Sequence, residues 1–257
     1  MLMAIDVGNT NIVVGAYDGE RMLTHWRIAT NKQKTSDELG ILIIQLFNHA
    51  QIDPGAVNAI VISSVVPPLN HTLEAMSYKF WHLRPTLVSA ELDLGVPIKY
   101  DNPWELGADR IVNAVAAKQL YGAPCIVVDF GTATTLDVVS AQGEYLGGSI
   151  APGISISTEA LFKRAARLYK VEIRRPNRVI GSTTSDALQS GIFWGFVGQV
   201  EKLIERTQME LGQQAFVVAT GGLAGLIAPE CKGVHKVEPF LTLEGLRIIH
   251  ERLTNAH

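Results

Sequence analysis

The sequence predicts an α/β protein composed of two related halves. Short segments in which apolar and polar residues alternate, as in strands, are followed by segments with the 3.6-residue period of amphipathic helices. The pattern then repeats, because DVGNTNIVVGAYDGE near the start matches DFGTATTLDVVSAQGE in the middle of the chain. The length of 257 residues also favours two domains, since single cores stop growing at roughly 250 residues.

Strands dominate the beginning of the first half. MLMAIDVG, NIVVGAYDG and MLTHWRIA predict three antiparallel strands in sequence, separated by turns. A helix is expected over TSDELGILIIQLFNHA, with Ser36 as its cap and one apolar face formed by Leu39, Leu42, Ile43, Leu46 and Phe47. AIVISSVVPP predicts a buried strand that ends at Pro67 and Pro68, followed by the helix LNHTLEAMSYKFW and the short strand PTLVS.

The second half repeats this order. After the predicted helix GADRIVNAVAAKQLYG, which Gly122 ends, the segment CIVVDFGTATTLDVVSAQGEYLGGSIAPG again predicts three strands joined by turns. Helices are expected at about 155–168 and 185–211, then a strand at QAFVVAT and a final helix at TLEGLRIIHERL. The predicted domains are therefore residues 1–120 and 121–257.

The repeated turns pair Asp6 with Asp129 and Gly8 with Gly131, and an ungapped match pairs Thr10 with Ala133. Backbone N–H groups in Gly-containing turns can bind phosphate, and the carboxylates can hold a cation that neutralises it. Asp, Gly and Asn are also common in ordinary hairpin turns. Because the turns occur at equivalent points in both halves, the sequence favours a nucleotide-phosphate site.

Composition limits the possible partners. The chain has 22 Lys and Arg against 25 Asp and Glu, a net charge of −3, so nucleic acid is not an expected partner. The densest basic cluster is interleaved with other residues, as on a solvated helix face, and comprises Lys163, Arg164, Arg167, Lys170, Arg174, Arg175 and Arg178.

Localisation is expected to be cytoplasmic. The N-terminal apolar segment is interrupted by Asp6, Asn9 and Asn11, so neither a signal peptide nor a membrane span is predicted. Cys125 and Cys231 lack metal-type spacing and are expected to be buried thiols in a reducing compartment. The seven scattered histidines do not suggest a zinc site.

The motifs DVGNTN, DFGTATT and TGG, in that order, resemble the two phosphate motifs and the adenosine motif of the acetate kinase, sugar kinase, Hsp70 and actin superfamily. VPIKYDNPWELGADRIVNA is similar to the substrate signature of the type III pantothenate kinase family, formerly called Bvg accessory factor. This resemblance implies two actin-like (ribonuclease H-like) domains, each a mixed five-stranded sheet with flanking helices, and an ATP cleft between them. It also implies a homodimer that phosphorylates pantothenate to 4′-phosphopantothenate, the first step of coenzyme A synthesis.

The resemblance further implies roles for individual residues. Asp109 is the expected catalytic base, and Asp129 the ligand of a monovalent cation, K⁺ or NH₄⁺. Mg²⁺ is expected with ATP on general grounds, because phosphoryl transfer requires the developing charge to be neutralised. The expected ATP-binding residues are Asp6, Val7, Gly8, Asn9, Thr10, Asn11, Ile12, Val13, Thr132, Gly221 and Gly222. The expected pantothenate-binding residues are Tyr100, Gly107, Ala108, Asp109, Arg110 and Thr184.

Most of these residues have a structural alternative. Asp109 can be a first-turn helix acid, Arg110 part of a surface ion pair, Tyr100 a strand aromatic and Thr184 an N-cap, while Gly221 and Gly222 can form a tight strand-to-helix turn. The alternative functions are another small-molecule kinase of the same superfamily and a non-catalytic ATP-binding regulator. A dinucleotide-binding module is the least favoured, because the sequence lacks GxGxxG.

Overall fold

The computed structural model describes residues 1–165 and 170–255. Their strands and helices follow the order predicted from the sequence, with a short helix and a short strand in addition between the last predicted strand and the final helix. The elements are β1 Leu2–Val7, β2 Asn11–Asp18, β3 Arg21–Ala29, α1 Ser36–His49, β4 Ala59–Ser64, α2 Pro67–Trp81, β5 Thr86–Leu87, α3 Ala108–Tyr121, β6 Cys125–Phe130, β7 Ala133–Val139, β8 Tyr145–Pro152, α4 Ile154–Arg164, α5 Thr184–Leu211, β9 Phe216–Thr220, α6 Ala224–Ile227, β10 Lys236–Val237 and α7 Leu241–Asn255.

These elements divide into two compact units. The first unit contains residues 1–116 and the segment from residue 242 onward, and the second unit contains residues 117–241. The chain therefore passes from the first unit to the second within α3.

A five-stranded mixed sheet forms the centre of the first unit, in the order β3-β2-β1-β4-β5. β1, β2 and β3 are antiparallel, as predicted, whereas β4 and β5 run parallel to β1. Alternate residues of β1 point to the core under α1 and α2, whose buried members include Ile5, Val7, Ile43, Phe47, Leu69 and Leu73. The period of two in the strands and 3.6 in the helices thus buries one apolar face of each.

Two helix starts differ from the sequence prediction. Thr35, not Ser36, caps α1: its Oγ1 accepts the N–H of Glu38, and the Glu38 carboxylate accepts the N–H of Thr35 in return. This reciprocal capping box satisfies two backbone donors at once, which a cap at Ser36 would not do with Glu38. Pro67 and Pro68 lie in the first turn of α2, after β4 has ended at Ser64.

The second unit repeats the topology of the first. Its sheet has the order β10-β9-β6-β7-β8, with β6, β7 and β8 antiparallel and β9 and β10 parallel to β6. Its core contains alternate residues of β6 and the inner face of α5, including Ile126, Val128, Phe130, Phe193, Val197 and Ile204. The prediction of two mixed five-stranded sheets with flanking helices is confirmed. β10 has only two residues and was not predicted.

The C-terminal helix α7 packs in the first unit, although the sequence order placed it with the second half. Thr242 Oγ1 donates to Asn113 Oδ1 at 2.8 Å, and Tyr17 Oη donates to Glu244 Oε1 at 3.0 Å. A Cβ atom on Gly245 would collide with the backbone of Val112. The amphipathic period of α7 predicts that one face is buried, but it does not indicate which sheet covers that face.

Other predictions concern the thiols, the basic cluster and the membrane. Cys125 and Cys231 are buried as expected, and burial raises the pKa of each thiol to about 12.

The basic cluster does not form one helix face. α4 ends at Arg164, and residues 170–180 are irregular. Arg167 and the predicted end of α4 near residue 168 lie outside the described residues. Among the described helices, none combines the length and apolarity that a bilayer crossing needs.

Candidate active site

The first Gly-containing turn joins β1 to β2 in the first unit. The Gly8 N–H donates to the Asn11 carbonyl at 2.9 Å, which closes the turn. Thr30, just after β3, supports it from the side: its Oγ1 donates to the Gly8 carbonyl at 2.6 Å and its N–H to the Thr10 carbonyl at 3.0 Å. Asn9 and Thr10 are exposed at the tip. The turn therefore presents two polar residues to solvent on a backbone held by β3.

Side chains around this turn face in two directions. Val7 and Ile12 belong to the core under α1 and α2, so only their backbone atoms are available to a ligand. Asp6 and Val13 are register partners on β1 and β2 and are both partly buried. Directly paired residues lie on one face of a sheet, so Asp6 and Val13 share the face opposite that core.

The second turn, between β6 and β7, is closed by the same kind of hydrogen bond but is one residue shorter. The Gly131 N–H donates to the Ala133 carbonyl at 3.0 Å, and the N–H of Gly153, just after β8, donates to the Thr132 carbonyl at 3.2 Å. Thr132 therefore occupies the place of Thr10, and Ala133 that of Asn11. The ungapped pairing of Thr10 with Ala133 is wrong, because a one-residue deletion within a turn is visible only in the hydrogen bonds.

Gly153 also brings a helix start against this second turn. It precedes α4, and a Cβ atom at this position would lie 2.7 Å from the Gly131 carbonyl oxygen. α4 has no side-chain cap and no acidic residue in its first turn. Its first N–H groups and the positive end of its dipole adjoin Thr132, an arrangement that favours a bound anion.

Gly221 packs the end of β9 tightly against β6. It has φ of 95° and a Cβ atom there would clash with Asp129 Oδ1 and lie 2.7 Å from the Phe130 backbone. Gly222 next to it is exposed, and the short helix α6 begins two residues later. The backbone of this turn is thus open to a ligand directly beside the partly buried Asp129.

The GADR motif lies at the start of α3 in the first unit. The Arg110 N–H donates to the Gly107 carbonyl at 3.1 Å and to Asp109 Oδ1 at 2.8 Å. Burial raises the pKa of Asp109, although the Arg110 N–H and the guanidinium charge oppose the increase. Arg110 is itself 8% exposed, so the alternative of a surface ion pair for Arg110 is wrong.

Tyr100 and Thr184 also differ from their structural alternatives. Tyr100 is partly buried in an irregular segment before α3, not in a strand. The cap of α5 is Thr183, whose Oγ1 accepts the Asp186 N–H at 3.1 Å and donates to Asp186 Oδ2 at 2.7 Å. Thr184 is the first residue of the helix and is exposed. Its hydroxyl is therefore not used in capping.

The candidate residues lie in both units. Asp6, the first turn, Tyr100 and the GADR segment are in the first unit, whereas Asp129, Thr132, Thr184 and the Gly221 turn are in the second. The sequence analysis missed Thr30 and Gly153, which support the two turns through contacts that are remote in sequence. Among residues 1–165 and 170–255, no three His, Cys, Asp or Glu side chains come together as a metal cluster would require.

Several solved structures of other proteins have a fold similar to that of this chain. A protein described as a Baf family transcriptional activator from Campylobacter jejuni superposes with a TM-score of 0.60 at 20% identity, covering 98% of this chain and 99% of the other. A ROK hexokinase from Thermus thermophilus superposes with a TM-score of 0.53 at 13% identity over 98% of this chain and 99% of its own. The chain therefore shares its two-sheet fold with these structures.

The sequence comparisons are more specific. The type III pantothenate kinase of Myxococcus xanthus is 56% identical over 252 residues, 98% of each chain. That of Moorella thermoacetica is 54% identical over 254 residues, 99% of this chain and 100% of the relative. A family model described as type III pantothenate kinase matches residues 2–206, which include both Gly-containing turns and the GADR segment. The chain therefore belongs to the type III pantothenate kinase family.

Proposed function

We propose that this chain transfers the γ-phosphoryl group of ATP to the primary hydroxyl of pantothenate, forming 4′-phosphopantothenate and ADP in the first step of coenzyme A synthesis. Full-length identity of more than half to pantothenate kinases carries the substrate assignment. The chemistry rests on one feature of the first unit: a partly buried carboxylate, Asp109, at the start of α3 with a raised pKa.

Asp109 acts as the general base. A carboxylate with a raised pKa is a stronger base than an ordinary one and accepts a proton more readily. The pantothenate oxygen attacks the γ-phosphorus, its proton passes to Asp109, and the bond to the β,γ-bridging oxygen breaks with its electron pair leaving on ADP. The Arg110 N–H, which donates to Asp109 Oδ1, holds the carboxylate in place.

The phosphates of ATP are bound by the two Gly-containing turns. In the first unit, Asn9, Thr10 and Asn11 supply N–H groups and polar side chains on the turn that Gly8 closes, and Val7, Ile12 and Val13 flank them along β1 and β2. Thr132 and the start of α4 supply them in the second unit. Gly221 and Gly222 leave room for the adenosine. Two uncharged, N–H-rich turns suit an anionic phosphate chain.

Two cations accompany the reaction. The partly buried carboxylates of Asp6 and Asp129 occupy equivalent positions at the ends of β1 and β6. Oxygen donors of this kind fit hard cations such as Mg²⁺ and K⁺. Asp6 binds the Mg²⁺ that neutralises the phosphates, directly or through water, and Asp129 binds the monovalent cation, K⁺ or NH₄⁺.

Pantothenate contacts Tyr100, the Gly107 and Ala108 backbone, Arg110 and Thr184. Arg110 supplies a planar cation suited to the substrate's carboxylate or hydroxyl groups. The Gly107 position lacks a side chain directly beside Asp109, which leaves space for the substrate alcohol. Thr184 offers a hydroxyl that the helix cap does not use.

The enzyme acts as a cytoplasmic homodimer that associates through α5. Gly191, Gly195 and Gly198 lie on one face of this helix, all are exposed, and a Cβ atom on any of them would meet nothing within 4 Å. Each glycine destabilises a helix by about 1 kcal/mol relative to alanine, so three on one open face are costly unless another surface approaches closely. A second copy of α5 fits this small-residue face.

The test is ADP release with pantothenate and MgATP, in potassium and in sodium buffer, for the wild type and Asp109→Ala. We expect pantothenate-dependent turnover that requires potassium and is lost in the variant. Turnover with another small alcohol but not with pantothenate would identify a different kinase of the superfamily. ATP binding without turnover on any acceptor would instead indicate a non-catalytic regulator.

A further inference from the structure

Ser63, in β4 of the first unit, has a hydroxyl group that the fold leaves unused. The side chain is 0% exposed, and its Oγ makes no hydrogen bond to any residue that the structure describes. A buried hydroxyl without a partner costs stability, and most such groups in native structures are paired. The unpaired Ser63 hydroxyl therefore indicates a use that the fold itself does not supply.

The neighbour of Ser63 in the sheet is Asp6. β1 and β4 are parallel, and their register pairs Asp6 directly with Ser63 and Ile5 with Ile62. Ile5 and Ile62 both lie in the core under α1 and α2. Since side chains alternate along strands, Ser63 and Asp6 share the opposite face, on strands about 5 Å apart.

The next residue shows that this orientation is specific to Ser63. Ser64 lies on the α2 side, where its Oγ donates to Asn70 Oδ1 at 2.7 Å and accepts the Val66 N–H at 3.2 Å. The two consecutive serines thus have different uses. One is part of the structure that starts α2, and the other lies beside the carboxylate.

The second unit repeats the pair. β6 and β9 are parallel, and their register pairs Asp129 with Thr220, which is 2% exposed. Each candidate cation-binding carboxylate therefore has a buried β-hydroxyl residue beside it on the adjacent parallel strand. The neighbouring pairs, Ile5 with Ile62 and Val128 with Ala219, are apolar in both units. The only equivalent pair that contains a hydroxyl residue in both units is the pair that contains the carboxylate.

We propose that Ser63 is a positioning residue for Asp6: when MgATP binds, the Ser63 hydroxyl donates a hydrogen bond to the Asp6 carboxylate and holds it in the orientation that receives the magnesium ion. This inference rests on the proposed role of Asp6 in phosphate and magnesium binding. A hydrogen bond from a neutral donor to a carboxylate is short and strong, and it leaves the second carboxylate oxygen for the cation or its water. No described residue takes the Ser63 hydroxyl as a hydrogen-bond partner, so this hydroxyl is available for the bond to Asp6.

Ser63→Ala tests the proposal, because it removes the hydroxyl without adding volume. We expect kcat/KM for MgATP to fall roughly tenfold, as for loss of one hydrogen bond to a charged group, and the half-saturating Mg²⁺ concentration to rise. The melting temperature should remain unchanged or rise, since an unpaired buried hydroxyl is removed. Ser63→Thr introduces the residue type found at the equivalent position of the second unit, Thr220, and should restore the wild-type magnesium dependence. A purely structural role would not produce this combination.

Two further variants separate the possible failures. Ser64→Ala is the matched control on the opposite face: it should lower the melting temperature and leave the magnesium dependence unchanged. Asp6→Asn should abolish turnover. If Asp6→Asn is inactive but Ser63→Ala has wild-type magnesium dependence and kcat/KM, the positioning role is overturned and the proposed function stands. If Asp6→Asn is fully active, both the role of Asp6 and that of Ser63 are overturned.

Discussion

Gly107 and Asp109 are so close that no other residue fits at position 107 without moving the carboxylate. A Cβ atom on Gly107 would lie 2.6 Å from Asp109 Oδ1 and 3.4 Å from Val65 Cγ1. The first distance is far below van der Waals contact, whereas the second is ordinary. Because the obstructing atom is the end of a side chain, the backbone can stay in place while the carboxylate moves.

Gly107→Ala should therefore reduce catalysis more than stability. We expect kcat to fall about tenfold to a hundredfold, because small displacements of catalytic groups have effects of that size, and the melting temperature to change little. Steady-state kinetics and thermal melts on the same preparations measure both. Gly55→Ala is a matched control, since its Cβ atom would lie 3.2 Å from Asp53 Oδ1, away from the candidate site. Equal kinetics for Gly107→Ala and wild type would contradict a base at Asp109.

Asp109→Asn should remove activity and stabilise the fold at neutral pH. Burial raises the pKa of Asp109 above its unfolded value, so ionisation costs the folded state free energy. The stability associated with this group is fully present below the unfolded pKa and is lost as pH rises through the folded pKa. An amide avoids this loss, and its oxygen can still accept the Arg110 N–H.

Thermal melts between pH 4 and pH 8 test the sign of this stability difference, because that interval runs from roughly the ordinary pKa of a carboxyl group to beyond neutrality. The variant should melt a few degrees above wild type near neutrality, about 2–4 °C for each kcal/mol in a protein of this size. That advantage should shrink toward the acid end. A variant that is less stable than wild type at every pH would show that the charged form is favoured in the fold.

Gly221→Ala should weaken ATP binding and the fold together. The residue has φ of 95°, and an added Cβ would contact the Phe130 backbone, which cannot yield as a side chain does. Strain of this kind costs about 1–3 kcal/mol. Calorimetric titration with ATP and a thermal melt measure the two effects. Gly225→Ala is the control, because its Cβ would meet nothing within 4 Å, and a Gly221→Ala protein that binds ATP normally would exclude the Gly221 turn from the nucleotide site.

Gly195→Leu tests the proposed association through α5, and we expect the variant to be monomeric. Gly195 is exposed, and a Cβ atom there would meet no other part of the subunit within 4 Å, so we expect a leucine to extend into solvent and to prevent close approach of a second helix. Light scattering coupled to gel filtration should show half the mass of wild type. Gly195→Ala is the conservative comparison. A Gly195→Leu protein that remains dimeric would place the interface on another surface.

Much of the fold could be predicted because its causes are local. Alternation identifies β1, β2 and β3, and the helical period identifies α1 and α5, since both patterns follow from burying one face. The turns at Gly8 and Gly131 were recognisable because each half of the chain carries the same arrangement of Asp and Gly after an apolar strand. The short strand β10 was not, because Lys236 and Val237 form neither a period nor an apolar run.

The roles of single polar residues were harder to predict. Thr183 and Thr184 are equivalent as cap candidates in the sequence, and the hydrogen bond to Asp186 alone distinguishes them. Ser63 and Ser64 likewise differ only in the face of β4 on which each lies. Such choices depend on the partner across the sheet or helix end, which the local sequence does not specify.

The sequence by itself determined the order of the elements, the internal duplication and the residue types at the two Gly-containing turns, because these depend on local propensity, period and turn chemistry. Only the tertiary structure decided that α7 packs in the first unit, that Thr132 rather than Ala133 matches Thr10, and that Ser63 lies beside Asp6. The reason is physical: burial of an apolar face is favourable against any complementary surface, so the choice of that surface is made by contacts between residues far apart in the chain.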